Sequence, residues 1–171
     1  MSASQPTLHK VWRLGADIDT DQLAPGAYMK LGIEGIAPHC LEAVRPEFAA
    51  SVQPGDVIAA GPSFGIGSSR EQAAAALVKL GVRAVIAPSF SGLFFRNAFN
   101  LGLLLLTCRD AGQLVDGERI ALDLQRLQLH RADGGVLACD PIPAFLLDMV
   151  RAGGLVNQLR RKLQAGRSPS A

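Results

Sequence analysis

Cysteine is scarce in this chain: Cys40, Cys108 and Cys139 are the only three in 171 residues. They lie far apart, their number is odd, and no C-x-x-C pair occurs. Neither a zinc site nor a disulfide framework is signalled, and no metal-ligand set is read in this chain. Long apolar runs are missing too. The run from residue 101 to 106 is far short of the roughly 20 residues that a membrane helix needs. The opening MSASQPTLHKVW has no apolar segment behind a basic start, so no secretory signal is expected. These absences make a reduced cytoplasmic compartment, without membrane contact, the expectation. A surplus of one charge is also lacking. The formal net charge is +2, from 17 Lys+Arg against 15 Asp+Glu, scattered along the chain. A nucleic-acid surface needs a concentrated basic stripe. The local cluster Arg160-Arg161-Lys162 reads instead as a solvated helix end, so no nucleic-acid partner is expected.

What is present is a globular composition, 49% hydrophobic and 19% charged. The length suits about one domain over residues 1–171, with a core from about 8 to 163 and a disordered tail from 164 to 171. Residues 8–14 read as a short strand leading to the polar turn GADIDTDQ. Its aspartates do not make an EF-hand: counted from Asp17, position six is Gln22 rather than Gly, and position twelve is Tyr28 rather than Glu. A helix is predicted around residues 40–48. Pro54-Gly55-Asp56 marks a turn before the buried strand at 57–60. A loop and a helix with apolar positions at Ala73, Ala76, Leu77 and Leu80 come next, ending at Gly81. Buried strands follow at 82–87 and 103–106, with a helix at 91–100 between them. Strand alternating with helix predicts an α/β fold with parallel pairing. After Asp116-Gly117 the period drops to two across Ile120, Leu122, Leu124, Leu127 and Leu129. That pattern fits half-exposed antiparallel strands. A final helix from Phe145 is interrupted at Gly153-Gly154 and resumes to about Leu163.

The segment SFGIGSSREQAAAALVK, residues 63–79, is the candidate site. Ser68 with Glu71, and Ser69 with Gln72, match the capping-box spacing, so one serine can simply start a helix. The same geometry offers unpaired N–H groups and a positive dipole end to an anion, and Arg70 adds a fork of donors suited to a carboxylate. A dinucleotide is excluded because Arg70 stands where the third glycine belongs. A P-loop is excluded because no Gly-Lys-Ser/Thr occurs. A turn-forming role for the aspartates of DIDTDQ, and a structural role for His39 and His130, stand beside the functional reading.

DIDTDQLAPGAY, GDVIAAGPSFGIGSSREQA, GVRAVIAPSFSGLFFRNAFNLGL and AGGLVNQL, in that order, resemble the small subunits of 3-isopropylmalate dehydratase and the swivel domain of aconitase. The likeness runs from about Leu14 to Leu163. It implies a swivelling β/β/α domain: a mostly parallel sheet with flanking helices and a smaller β layer. It also implies half of a two-subunit hydro-lyase, inactive alone. A separate large subunit is expected, by the resemblance, to carry a [4Fe-4S] cluster through its own three cysteines, and no cofactor is expected on this chain. By the resemblance Ser68 is the base that removes the proton next to a carboxylate. Asp21 joins the acid–base network. Gly67, Ser69 and Arg70 bind the substrate, and Tyr28, Met29 and Lys30 read its side chain.

The chain departs from the family at Ile66, where Cys is common, at Gln72, where His is common, and at Gly92, where a basic residue is common. YMKLGIEG also differs from the usual specificity run. The expected substrate is the 3-isopropylmalate/2-isopropylmalate pair of leucine biosynthesis. Homoaconitate, citramalate and 2,3-dimethylmalate types are the alternatives within the class, and a non-catalytic carboxylate-binding module is the alternative outside it.

Overall fold

Apolar runs without alternation need cover on both faces, and three of them form the centre of a mixed sheet. The computed structural model describes residues 4–167. In it, β2 (Val57–Ala59) and β3 (Ala84–Ala87) are buried at every position, and β4 (Leu104–Thr107) at all but the last. β1 (Leu8–Arg13) divides its pairing. Residues 11–13 run parallel to β2, while residues 8–10 run antiparallel to β5 (Arg119–Asp123). β6 (Gln128–Arg131) and β7 (Val136–Ala138) continue from β5 as an antiparallel meander. The seven-stranded order is β4-β3-β2-β1-β5-β6-β7. A parallel part and an antiparallel part, with three strand pairings each, therefore share one strand, in agreement with the expected α/β architecture.

Parallel neighbours need long crossovers. Those after β2 and β3 carry α4 (Glu71–Lys79) and α5 (Gly92–Asn100). α4 turns Ala73, Ala74, Ala76 and Leu77 inward; α5 turns Phe94, Ala98 and Phe99 inward. The few aromatics are concentrated in the core: Phe48, Phe64, Phe94 and Phe99 are among its largest fully buried side chains. Phe64 packs edge-to-face on Phe94 with centroids 5.3 Å apart. Trp12 meets Phe48 edge-on, and its indole N–H donates to the buried Asp56 carboxylate at 2.9 Å. A buried polar group with its partner in place carries little penalty.

The crossover between β1 and β2 differs from its prediction. It contains α1 (Thr20–Leu23), a 3₁₀ turn over Gly26–Leu31, α2 (Gly32–Ile36), a second 3₁₀ turn at Ala37–His39 and α3 (Phe48–Ser51). The helix expected over 40–48 is absent. Leu41 sits at φ +63, off the helical region, and Pro46 disfavours helical geometry at the residue before it. β7 was not anticipated, because its three residues show too little alternation to read. The C-terminal helix is split as expected into α6 (Ala144–Ala152) and α7 (Leu155–Ala165). α7 continues past Leu163, so residues 164 and 165 are helical rather than tail. Residues 168–171 of the expected tail lie outside the described residues.

In open α/β sheets, ligands bind beyond the carboxyl ends of the parallel strands. Here the loops leaving β1, β2 and β3 meet at that edge, tied by bridges between Asp19 and Ile66 and between Phe64 and Phe90.

Candidate functional site

Two short helix starts face one another at this edge. The first belongs to α1. Asp19 accepts from the Gln22 N–H at 2.8 Å, and the Gln22 side chain accepts from the Asp19 N–H at 3.0 Å, closing a capping box. The second belongs to α4, which begins with Arg70 as its N-cap and has no side-chain cap at all. Ser68 and Ser69 therefore do not form the capping boxes that their spacing allows, because the helix starts two residues later than the Ser68 box requires and one later than the Ser69 box. The box lies in DIDTDQ instead, where Asp19 and Gln22 carry the same offset.

The chain reaches Ser68 through two constrained glycines. Gly65 has φ +83, and a Cβ there would lie 2.2 Å from Phe94 Cγ. Only glycine fits both the conformation and the contact. Gly67 has φ +104, with a Cβ position 3.0 Å from Thr20 Oγ1. The loop is also laced to the aspartate turn by the backbone: Gly65 N–H donates to Ile18 O at 2.7 Å, and Thr20 N–H to Ile66 O at 2.9 Å. Gly67, Ser68 and Ser69 are exposed as a result, on a base that is itself buried.

Ser68 Oγ lies 3.2 Å from Thr20 Oγ1, and the two hydroxyls share a hydrogen bond. Thr20 is only 2% exposed, so its hydroxyl has few other places to point. Arg70 Nη1 donates to Asp21 Oδ1 at 2.9 Å and to the Ala24 carbonyl at 2.8 Å. These bonds use Nη1 alone, which leaves the guanidinium's Nη2 and Nε donors for a ligand. Asp21 Oδ1 also accepts the Gly26 N–H at 3.0 Å. The Arg70 guanidinium, helped by that N–H, holds the Asp21 carboxyl below its ordinary value. Asp21 is therefore an ionised anchor for Arg70 at neutral pH. Ser69 takes a different partner: its carbonyl accepts from Asn97 Nδ2 at 3.3 Å, joining the loop to α5.

The structure thus brings Asp21 to Arg70 and pairs Ser68 with Thr20. Tyr28 belongs to a neighbouring group. Its ring stacks on His39 at 3.6 Å between centroids, and His39 Nδ1 lies 2.7 Å from Glu42 Oε2. Loss of solvent, then the Glu42 carboxylate beside it, pushes the Tyr28 phenol above its ordinary value. Met29 is half-buried, and Lys30, at the end of the 3₁₀ turn, is exposed. Sequence reasoning missed Thr20 and Asn97. Thr20 is visible as the middle of Asp-Thr-Asp, but its burial is a tertiary fact. Asn97 is one polar residue in an apolar helix, which could have drawn notice. The His39–Glu42 pair has i, i+3 spacing, a signal that could have been read.

The donor set of this chain does not suit an iron–sulfur cluster. Cys40 is buried in the core, and burial pushes its thiol up to about 12. Cys108 and Cys139 are each other's neighbouring thiols, and among the described residues no third ligand joins them. No group of three or more His, Cys, Asp or Glu side chains among the described residues is placed to hold a metal ion. No helix among the described residues is long and apolar enough to cross a membrane.

Comparison with known proteins identifies the family. Residues 47–111 match the aconitase C-terminal domain, a span that includes the glycine–serine loop. The 3-isopropylmalate dehydratase small subunit of Sulfurimonas denitrificans is 39% identical over 91% of this chain and 94% of its own length. The methanogen homoaconitase small subunit of Methanothermobacter thermautotrophicus is 41% identical over 92% of each. A crystal structure of 3-isopropylmalate dehydratase from Methanocaldococcus jannaschii superposes with a TM-score of 0.86 at 34% identity, covering 94% of this chain and 98% of that one. With identities of this size over nearly the whole length, the chain belongs to the family of 3-isopropylmalate dehydratase small subunits, aconitase-type hydro-lyase subunits.

Proposed function

We propose that this chain supplies the base and the carboxylate clamp of a hydro-lyase that interconverts 3-isopropylmalate and 2-isopropylmalate, in complex with a large subunit carrying a [4Fe-4S] cluster. The observation that carries the reading is the exposed Ser68 hydroxyl. It stands at an uncapped helix start, 3.2 Å from the buried Thr20 hydroxyl. Arg70 is pinned beside it by Asp21 and Ala24. Among the described residues no group of three or more His, Cys, Asp or Glu is placed to hold the cluster. Bound in the partner, it would supply Lewis-acid polarisation of the substrate hydroxyl.

The chemistry asked of these residues is limited and specific. One substrate carboxylate docks on the free edge of Arg70, with the N–H groups of the α4 start adding positive potential. Ser68 Oγ takes the proton from the carbon next to that carboxylate. Negative charge grows on the carboxylate as the C–H bond breaks. Preorganised donors lower the barrier because they need no rearrangement at that moment. A serine is an ordinary base only when its oxygen anion is stabilised, and a hydrogen bond from Thr20 together with the helix field favours that anion. Loss of the hydroxyl on the neighbouring carbon then gives an unsaturated diacid. Re-addition of water with the opposite regiochemistry completes the isomerisation. Gly67 and Ser69 belong to the anion-facing loop, and Tyr28, Met29 and Lys30, in the 3₁₀ turn over Gly26–Leu31, are assigned to reading the substrate side chain.

A second substrate, homoaconitate, is favoured by a specific observation, since a homoaconitase small subunit is 41% identical to this chain. Co-expression with a family large subunit, anaerobic cluster reconstitution and assay against a panel of hydroxy dicarboxylates separates the two. Turnover of isopropylmalate above homocitrate is the expected result. Preference for homocitrate would move the specificity assignment to the other relative. Failure of any large subunit to activate the chain would defeat the proposal.

A further inference from the structure

The sheet order places β4 and β7 at opposite ends, yet the chain segments that leave them touch. The Asp140 N–H donates to the Thr107 carbonyl at 2.8 Å. The residues next to that bond along the two segments are Cys108 and Cys139, each the other's neighbouring thiol. The sheet therefore curls until its outer edges meet at a pair of cysteines. Both backbones are fixed there: Cys108 N–H donates to Ala87 O at 2.9 Å, and Cys139 N–H to Leu127 O at 2.8 Å. Cys108 is fully buried, whereas Cys139 is half-exposed and opens the pair to solvent.

The two thiols are not equivalent. The neighbouring Cys139 thiol, outweighing burial and helped by the Asp110 N–H, holds Cys108 below the ordinary thiol range, while the same contact drives Cys139 upward. Thiolate is the reactive form toward oxidants, and a neighbouring thiol resolves the first product. Cys40 offers an internal contrast. It is buried, and burial alone raises it to about 12.

We propose that Cys108 and Cys139 form a reversible intrachain disulfide under peroxide, a covalent latch across the two outer edges of the curled sheet. The Cys108 thiolate attacks one peroxide oxygen: an S–O bond forms, the O–O bond breaks, and hydroxide leaves and is protonated to water. Cys139 then attacks the sulfenic sulfur, the S–S bond forms, the S–O bond breaks, and a second water leaves with the thiol proton. Two thiols are oxidised by two electrons and one peroxide is reduced to two waters. A dithiol reductant reverses the step by exchange. The link needs a sulfur–sulfur bond of about 2.05 Å, and the Thr107–Asp140 backbone bond already holds the two segments side by side. Neither cysteine belongs to the Ser68 loop, so the latch stands whether or not the proposed catalysis does.

The test is intact-mass analysis of the full-length protein. The chain is titrated with hydrogen peroxide, quenched with N-ethylmaleimide under denaturing conditions and digested without reduction. Alkylated thiols should fall from three to one, with Cys40 still labelled. A peptide pair joining Cys108 and Cys139 should appear and be released by dithiothreitol. The Cys40→Ala variant should behave the same way. The oxidised chain should melt about 5–10 °C higher than the reduced one, since the link constrains the unfolded state. Three thiols labelled after peroxide would overturn the proposal. A link that includes Cys40 or a second chain, or irreversible oxygen adducts on Cys108 in place of the link, would do so equally. The wild-type mass measurement decides even if Cys108→Ser fails to fold.

Discussion

The starts of α1 and α4 lie against each other and share one loop network, yet they are finished in opposite ways. α1 closes its own end with Asp19 and Gln22. α4 leaves its end without a side-chain cap, behind Gly67, Ser68 and Ser69. A capped end is worth about 1 kcal/mol to its helix, so leaving one open has a cost, and an open N-terminus is what an anion needs. The contrast divides the labour. The α1 turn is scaffold: it holds Thr20 against Ser68 and Asp21 against Arg70. On the proposed function, the α4 start is the face that a substrate meets. A second pair makes the same point. Arg45 grips Asp116 through both nitrogens, at 2.6 and 2.8 Å, and stacks over Trp12 far along the chain from the loop. Arg70 spends one nitrogen on Asp21 and keeps the rest free.

The largest expected effect on this division comes from Arg70→Ala. In the reconstituted complex it removes a charge-assisted clamp worth roughly 3 kcal/mol, so kcat/KM should fall about 100-fold. Arg70→Lys should recover little, because the fork geometry is lost. Arg45→Ala should leave kcat/KM unchanged; steady-state kinetics on both variants would show whether the two arginines differ as their bonds suggest. Gly67→Ala comes next. A side chain at φ +104, pressed against Thr20, should displace Ser68 and lower kcat about tenfold, while circular dichroism stays native.

The caps themselves give a smaller effect. Asp19→Ala should cost about 1 kcal/mol, read as a drop in melting temperature of about 2–4 °C. Ser69→Ala should change stability by less than about 0.5 kcal/mol, because Ser69 caps nothing. Equal losses in the two variants would erase the distinction between the ends. The smallest effect is in acid. The Arg45 guanidinium holds Asp116 down to about 2, below an unfolded value near about 3.9. Its contribution is present above that unfolded value and is lost as pH falls through the folded one. The carboxylate is 49% exposed, so solvent screens it to a fraction of about 1 kcal/mol. Urea melts at pH 5 and pH 2.5 should differ less in Arg45→Ala than in the parent.

Much of this was legible in the sequence. Continuous apolar runs announced β2, β3 and β4, and the change to period two after Asp116-Gly117 announced the antiparallel part, because pattern follows burial directly. The crossover between β1 and β2 was not legible. Its short helices and 3₁₀ turns are held by packing, and the predicted helix over 40–48 fails at Leu41 and Pro46. At the site, Ser68, Arg70 and Asp21 stand out by residue type and by resemblance. Which residue caps which helix did not follow, since capping-box spacing occurs at Ser68, Ser69 and Asp19 alike. Only the backbone ties between Ile66 and Thr20 and between Gly65 and Ile18 decide where α4 begins and which hydroxyl meets Ser68.

The central claim is that Ser68, at the open end of α4, removes the substrate proton. The direct measurement is single-turnover dehydration by the complex reconstituted with Ser68→Ala. Melting temperature and large-subunit binding are checked alongside on the same preparation. The account predicts intact assembly and a rate lower by about 10²–10⁴-fold, the usual contribution of a positioned base. A rate within a factor of two of the parent would contradict it.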